Sequence, residues 1–233
     1  MMVGKEIENI DIRMPKDAYD TGKHIPTFNA YLMVIVRDSE GRVVRIHRQR
    51  SHSPTANFIG LLLPLRYFSN TNSSVTITNT GGSSYSYKPA ISSSVYDIPY
   101  PNNTFNTPTY LYMIQVGSGQ QSNPYTAYSL AAPIANGSGA GQLVYGQPSV
   151  SSNVITSGSE VYFIISQAFN NQSGTTVTIT EVGIILNLIL GESYSTATTD
   201  IGQVLVWYDV LSSAITVPNQ GTVTIYYTFT VNP

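Results

Sequence analysis

The sequence of 233 residues contains no cysteine, one tryptophan and few charged side chains, and these shortages exclude several classes of protein. Without cysteine there is no disulfide bond, no thiolate metal site and no thiol nucleophile. The longest apolar runs, 58–65 and 182–190, fall well short of the about 20 residues that a membrane-spanning helix needs. The N-terminal residues lack the apolar core of a secretory signal, so no signal peptide is predicted.

Charged residues make up 10% of the chain and are unevenly distributed. Nine of the eleven Lys and Arg residues lie within 1–50, and none follows Lys88. Residues 89–233 hold six carboxylates, so we expect a surface made mainly of Ser, Thr, Asn, Gln and Tyr. Such a surface changes its charge little when carboxylates protonate, which suits a protein exposed to acid. The alternative is an uncharged, adhesin-like surface at neutral pH.

Composition divides the chain into three parts. Residues 1–66 are a basic N-terminal segment, predicted to contribute a β-hairpin and a short helix to a sandwich. Residues 67–109 are rich in Ser, Thr, Asn and Tyr and are expected to form a surface insertion. Within it, 75–78 and 83–86 predict an exposed hairpin, and 89–108 predicts a long surface loop. Residues 110–233 are expected to supply the main strands of the sandwich.

The local pattern of the first part is specific. Two β-rich runs within 31–47 flank a four-residue connection that begins at Asp38, which is typical of a hairpin. A helix is predicted over 55–63, with Ser53 as its N-cap and Pro54 at its first position. The residues expected to bury this helix against a sheet are Phe58, Ile59, Leu61, Leu62 and Leu63.

The C-terminal part reads as a series of strands separated by Gly, Pro and Asn turns. Polar and apolar residues alternate in several of these strands, so each strand is expected to have one solvent-exposed face and one buried face. The predicted fold is all-β, a jelly-roll-like antiparallel β-sandwich with one short helix. The predicted strands are 110–116, 142–145, 160–168, 175–190, 203–209 and 222–231.

No catalytic constellation is recognisable. A Ser/His/Asp site would have to use His24, His47 or His52, and no G-x-S-x-G turn is present to expose a nucleophile. Glu181 and Asp209 lie inside strand patterns, where acids more often end a strand or pair locally. The glycine-rich runs lack the G-K-[ST] ending of a phosphate loop. We therefore predict no catalytic residues, no metal ligands, no cofactor and no enzymatic activity.

One cluster of cations stands out between residues 42 and 52, and it contains no acid. Arginine forks match carboxylate and phosphate groups, so the cluster could dock against a partner. The alternative is the solvated face of a hairpin strand. The net charge of −2 and the lack of a DNA-binding motif argue against nucleic acid. The candidate docking residues are Arg42, Arg45, His47, Arg48, Arg50 and His52.

Four sequons are candidate glycosylation sites if the chain meets a glycosylation machinery. In a sequence so rich in Asn, Ser and Thr, several of them are expected to arise by chance. Two lie in or near the longest predicted loops, where glycans would fit. The asparagines concerned are Asn72, Asn102, Asn136 and Asn171.

The order of several segments resembles a group of virion structural proteins from phages and from archaeal viruses of hot springs. The segments include S-x-S-P-T-A-N-F-I-G-L-L-L, I-Q-V-G-S-G, A-F-N-N-Q-S-G-T-T-V-T-I-T-E-V-G-I and T-V-T-I-Y-Y-T-F-T-V. The resemblance covers roughly 31–63 and 110–232. It implies a β-rich, non-enzymatic component of a virus particle and supplies no catalytic residues. The insertion at 67–108 and the lack of cations in the C-terminal half depart from the group.

The expected function is that of an exposed component of a capsid vertex, a turret or a tail appendage, located in the virion. We expect a ring-like homo-oligomer that contacts other virion proteins and a host surface receptor, with no transmembrane segment. Strand 222–231 is the candidate oligomer contact, on the premise that it lies at a sheet edge. The alternative function is a cell-surface S-layer, pilus or adhesin subunit. A carbohydrate-binding module is disfavoured, because Trp207 lies in an apolar run that is typical of a core.

Overall fold

The computed structural model describes residues 27–51, 53–62, 75–87, 98–101, 112–151, 155–157, 160–191 and 198–232. These residues form one α-helix, α1 (Ala56–Leu62), together with a short 3-10 turn at Pro124–Thr126. The strands are β1 (Thr27–Arg37), β2 (Val43–Ser51), β3 (Val75–Thr78), β4 (Ser84–Tyr87), β5 (Ile98–Pro101), β6 (Tyr112–Gly117), β7 (Val144–Tyr145), β8 (Ser149–Val150), β9 (Ile155–Ser157), β10 (Glu160–Asn170), β11 (Val177–Gly191), β12 (Thr198–Val217) and β13 (Thr222–Asn232).

Two larger sheets account for most of the strands. Sheet A has the order β2-β1-β13-β10-β7, and β8 and β9 also pair with β10. Sheet B has the order β12-β11-β5, and β6 also pairs with β11. The strands β3 and β4 pair with each other, and the pairings in all three sheets are antiparallel. The predicted all-β antiparallel fold with a short helix is confirmed, while a jelly-roll connectivity stays a prediction.

The two sheets enclose a shared hydrophobic core. Leu32 of β1 and Ile225 of β13, both in sheet A, belong to the same buried cluster as Ile179 of β11 in sheet B. The predicted two-faced strands are confirmed on β13, where Val223, Ile225 and Tyr227 are buried and the residues between them are half-buried. Alternation with period two therefore decides which side chains meet between the sheets.

The position of β13 corrects one expectation from the sequence. Strand 222–231 was expected at a sheet edge, yet β13 pairs with β1 on one side and with β10 on the other. Both rows of its backbone groups are therefore occupied by strand pairing. The expectation of an oligomer contact through the edge of this strand is wrong, because pairing partners far away in sequence decide which strand is central.

The helix begins at Ala56, two residues after its predicted first position, Pro54. Thr55, rather than Ser53, caps it, since Thr55 Oγ1 accepts a hydrogen bond from the Phe58 backbone N–H at 3.4 Å. Pro54 instead forms an isolated β-bridge with Trp207 of β12. A helix of seven residues turns only one narrow stripe inward. The buried residues are Asn57 and Gly60, while Ile59 and Leu62, both expected to be buried, are 49% and 42% exposed.

The predicted hairpin in the polar insertion is present, but it is not simply exposed. β3 and β4 pair as expected, and Val75 and Ile77 of β3 are 7% and 0% exposed in the core. Gly60 of α1 packs against them so closely that a Cβ there would lie 3.1 Å from Val75 Cγ1. Within 89–108, predicted as a loop, residues 98–101 form β5 at the edge of sheet B. The two buried residues of β3 and the backbone pairing of β5 with β11 thus tie the insertion into the fold.

The outer edge of β12 is covered by side chains and short segments instead of by another strand. The Gln49 amide donates to Val210 O at 3.0 Å and accepts from the Ser212 N–H at 2.9 Å. Asn57 of α1 donates to Leu205 O at 3.1 Å. The Tyr208 N–H donates to Ser53 O, and the Thr55 N–H donates to Val206 O. These contacts satisfy backbone groups that an edge strand otherwise exposes.

Candidate functional site

The basic cluster lies on β2, the strand at one end of sheet A, and its members do not share one face. Odd-numbered side chains of β2 point inward, with Ser51 and His47 buried and Arg45 half-buried. Even-numbered side chains point outward, so Arg48 and Arg50 are exposed. The alternation of a strand therefore divides the candidate docking residues between two faces. His52 lies outside the residues that the structure describes.

Arg42 lies in the turn before β2, where two carboxylates neutralise it. Its guanidinium pairs with Asp38 Oδ2 at 2.8 Å and with Glu40 Oε2 at 2.9 Å. The hydrogen bond from Arg42 lowers the pKa of Asp38, and the same bond raises the pKa of Arg42. Asp38 Oδ1 also accepts the backbone N–H groups of Glu40 and Arg42, and Gly41 takes a positive φ of 78°. Arg42 thus stabilises the turn between β1 and β2.

Arg45 and His47 face the far end of β12. Arg45 donates to Ser213 Oγ at 2.8 Å, and the same hydroxyl lies 3.4 Å from His47 Nδ1. His47 Nε2 lies 2.9 Å from Gln49 Oε1. Because a carboxamide oxygen only accepts hydrogen bonds, Nε2 carries the proton in this arrangement. Both residues hold β2 against β12, so they are structural contacts in the folded chain.

Arg48 and Arg50 remain on the outer face of β2. Arg50 donates to Asn29 Oδ1 at 2.7 Å, which fixes its guanidinium across the neighbouring strand. Two exposed apolar residues, Val44 and Ile46, share this face and are 55% and 39% exposed. Alternating aliphatic and arginine side chains on an edge strand offer both apolar contact area and multiple hydrogen-bond donors. We call these four residues the β2 outer face.

Two of the four sequon asparagines fall within the described residues, and Asn72 and Asn102 do not. Asn136 is exposed, and its side-chain oxygen accepts the Tyr145 N–H at 2.9 Å. Asn171 is fully buried, and its amide nitrogen donates to Thr175 O, Val217 O and Pro218 O at 2.7, 2.9 and 3.1 Å. In the folded chain its amide hydrogens hold the turn before β13, so a glycan there would have to replace those bonds.

Glu181 is a buried carboxylate that the sequence pattern does not reveal. It is 0% exposed and accepts hydrogen bonds from the backbone N–H groups of Gly119, Ala131 and Ala132 at 3.2, 3.0 and 2.8 Å. The Tyr208 hydroxyl donates to it at 2.8 Å, and burial raises the pKa of Tyr208 well above its usual range. The carboxylate therefore pins the 118–132 loop to sheet B instead of facing solvent.

Asp209 is the second buried carboxylate, and it lies on the opposite face of sheet B from Glu181. The Ser51 hydroxyl donates to it, and the Trp207 indole N–H donates in turn to Ser51. The Tyr227 hydroxyl also donates to Asp209, at 3.0 Å, and burial raises the pKa of that phenol well above its usual value. Trp207 itself is 3% exposed, as expected for a core residue. The sequence placed both acids inside strand patterns, and both lie within long strands, β11 and β12.

A cavity of about 440 Å³ lies beside β6, where sheet B meets the loop from 133 to 146. Its described lining carries no charged side chain. Asn187 of β11 and Gln203 of β12 are direct cross-strand neighbours in it, and Met113 faces Ile185 in the same way. The amide side chains of the lining are Gln115, Asn136, Gln167, Asn187 and Gln203, and its apolar residues include Met113, Pro133, Ile134 and Ile185.

No motif in the sequence points to this cavity. Its amides come from five separate segments, and each one is unremarkable in a chain so rich in Asn and Gln. The only local signal is Asn187, which interrupts the apolar run 182–190 between the half-buried Leu186 and the buried Leu188. A polar residue inside such a run marks a place where the strand faces something other than hydrocarbon.

No family model matches the chain, and neither curated proteins nor solved structures gave a similar protein. Among the residues described above, no cluster of three or more His, Asp or Glu side chains is placed to hold a metal ion. The α-helix that the structure describes, with seven residues, is far too short to cross a membrane.

Proposed function

We propose that this chain is a non-enzymatic structural subunit of a virus particle, exposed at a vertex, turret or tail appendage, and that it assembles with copies of itself. The β2 outer face carries the assembly part of this proposal. Its place in a particle is supported by the resemblance of 31–63 and 110–232 to virion structural proteins. The use of both buried carboxylates in holding loops and strands together also favours a structural role.

The charge distribution favours a head-to-tail ring over a two-fold dimer. A two-fold contact through β2 would place Arg48 and Arg50 near the same arginines of the second copy. A head-to-tail contact places β2 against a different surface of the next copy. Residues 89–233 contain no Lys or Arg, so on that part of the neighbour the arginines meet no like charge. Its hydroxyl and carbonyl groups can accept hydrogen bonds from them instead.

Light scattering on the purified chain, at neutral pH and at about pH 3, tests the assembly. A discrete ring is expected at both values, because arginine keeps its charge and hydroxyl and amide acceptors do not titrate. Arg48→Glu is expected to weaken association at least about tenfold, whereas Thr76→Glu, which introduces a glutamate at an exposed position of β3 outside both β2 and 89–233, leaves it unchanged. A monomer at every concentration, or a dimer, contradicts the ring.

The location is tested separately by electron microscopy with gold-labelled antibodies raised against the purified chain. Labelling of protruding structures on virus particles is expected. Labelling confined to the surface of uninfected cells contradicts the proposal and favours a cell-surface subunit.

A further inference from the structure

We propose that the cavity beside β6 is a binding site for a neutral, hydroxyl-rich ligand, a carbohydrate with an uncharged pyranose ring. Nothing in the proposed assembly requires such a site, and none of its described lining residues lies on β2. The inference therefore goes beyond assembly and stands independently of it.

The first observation concerns the burial and the hydrogen bonding of the Asn187 side chain. Its side chain is only 9% exposed, and within the part of the chain that the structure describes it makes no hydrogen bond. A buried carboxamide without a partner is unfavourable, and native proteins rarely keep one without a reason. Asn187 lines the cavity, so a ligand there can supply the missing donor and acceptor.

The composition of the lining sets the class of ligand. A carboxamide offers both donors and an acceptor, which matches a sugar hydroxyl that donates and accepts at once. Gln115, which is opposite Gly183 on β11 and lines the same cavity, likewise makes no side-chain hydrogen bond within the described residues. Because the described lining carries no charge, an ionic ligand would lose its hydration without gaining a counter-charge. Met113, which is half-buried, offers apolar surface to the C–H face of a pyranose.

The walls of the cavity are held in place before any ligand arrives. The Ile134 N–H donates to Val116 O at 2.9 Å, and the Tyr145 hydroxyl donates to Ile134 O at 2.7 Å. Gln167 bridges β6 and the end of β7, accepting from the Ile114 N–H at 2.7 Å and donating to Gly146 O at 2.9 Å. A volume of about 440 Å³ lies within the range of about 300–1,000 Å³ that small-molecule sites occupy. A preformed site loses little entropy on binding.

Ligand-observed NMR and calorimetry with single sugars test the inference. The probes are the methyl glycosides of glucose, galactose and mannose and N-acetylglucosamine, with glucuronic acid and N-acetylneuraminic acid as charged counterparts. At least one neutral sugar is expected to bind saturably with a dissociation constant of about 1 mM or below, and the charged sugars are expected to bind at least about tenfold more weakly. No saturable binding of any neutral probe up to about 20 mM, or equal binding of a charged one, overturns the inference.

Two variants separate binding from folding. Asn187→Leu is expected to weaken sugar binding at least about tenfold, while its melting temperature stays the same or rises because an unbonded buried amide is removed. Gln115→Met, at a half-buried position, serves if the first variant fails to fold, and the same loss of binding is expected. Gln172→Leu, an exposed amide outside the cavity, is the matched control and keeps full binding. Unchanged binding in Asn187→Leu or in Gln115→Met overturns the assignment.

The outcome is distinguishable from that of the assembly experiment. A ring that binds none of the sugars removes the carbohydrate site and leaves the assembly intact. A monomer that binds a neutral sugar does the reverse.

Discussion

Replacing Glu181 with glutamine probes the polar contact that fastens the 118–132 loop to sheet B. The carboxylate accepts four hydrogen bonds, three from backbone N–H groups and one from Tyr208, at 2.8 to 3.2 Å. Glutamine keeps one oxygen, so Oε1 can still accept from Gly119 and Ala132. Its NH₂ group then faces the Ala131 N–H, donor against donor, in a buried site.

The expected cost follows from this count. One backbone N–H is left buried and unsatisfied, at about 1–3 kcal/mol, and two surviving bonds lose their charge assistance, at about 0.5–1 kcal/mol each. Glu181→Gln should therefore lower the free energy of unfolding by about 2–5 kcal/mol. Gly117, at the end of β6, packs closely against this carboxylate, since a Cβ there would lie 2.3 Å from Glu181 Oε1.

Urea unfolding followed by circular dichroism measures this cost. With an m-value of about 2–3 kcal/mol/M, the midpoint should fall by at least about 0.7 M. Glu40→Gln is the control, because Glu40 is an exposed turn residue whose ion pair with Arg42 is screened by solvent and contributes little to stability. Equal midpoints for the two variants would refute the reasoning that Glu181 holds the loop through its charge.

Three further predictions concern other buried groups. Ser51→Ala leaves both the Trp207 indole N–H and Asp209 without the hydroxyl that joins them, so the free energy of unfolding should fall by about 2–3 kcal/mol in urea titration, and an unchanged midpoint contradicts this. Burial raises the pKa of Tyr145 from 10.0 to about 12, so the unfolded chain loses that proton first and stability should fall as pH rises from about 10 to 12. Tyr145→Phe should lose less stability than the wild type over that window, as thermal melts at successive pH values would show, and equal slopes contradict the assignment. Deleting 222–233 removes the central strand of sheet A and should abolish folding, so a soluble truncated chain with native circular dichroism would contradict the topology.

Alternation predicted the faces of the strands but not their neighbours. The pattern of β13 gave its dry face correctly, because side-chain period is a local property of an extended chain. Its central place depends on pairing with β1, about 190 residues earlier, and on β10. Nothing within 222–231 carries that information.

The same limit applies to polar side chains. The division of the β2 cations between two faces follows from strand period and could have been predicted once 43–51 was recognised as a strand. The partners of Glu181 could not, since they are backbone groups of a loop about 50–60 residues away. Gln49 and Asn57 bind backbone groups of β12. Many amides in this sequence could do so, and the composition does not tell which of them does. Asn187 could be recognised in the sequence only because it interrupts an apolar run.

The cover on the edge of β12 has a consequence for synthesis. A chain emerging from a ribosome presents its N-terminal segments first, and a long strand with one open side is prone to pair with a neighbouring nascent chain. Gln49, Asn57 and the backbone of 53–55 precede β12 by about 150 residues. The residues that cover this edge are therefore translated well before β12, so they can bind its open edge within the same molecule as soon as the strand is synthesised.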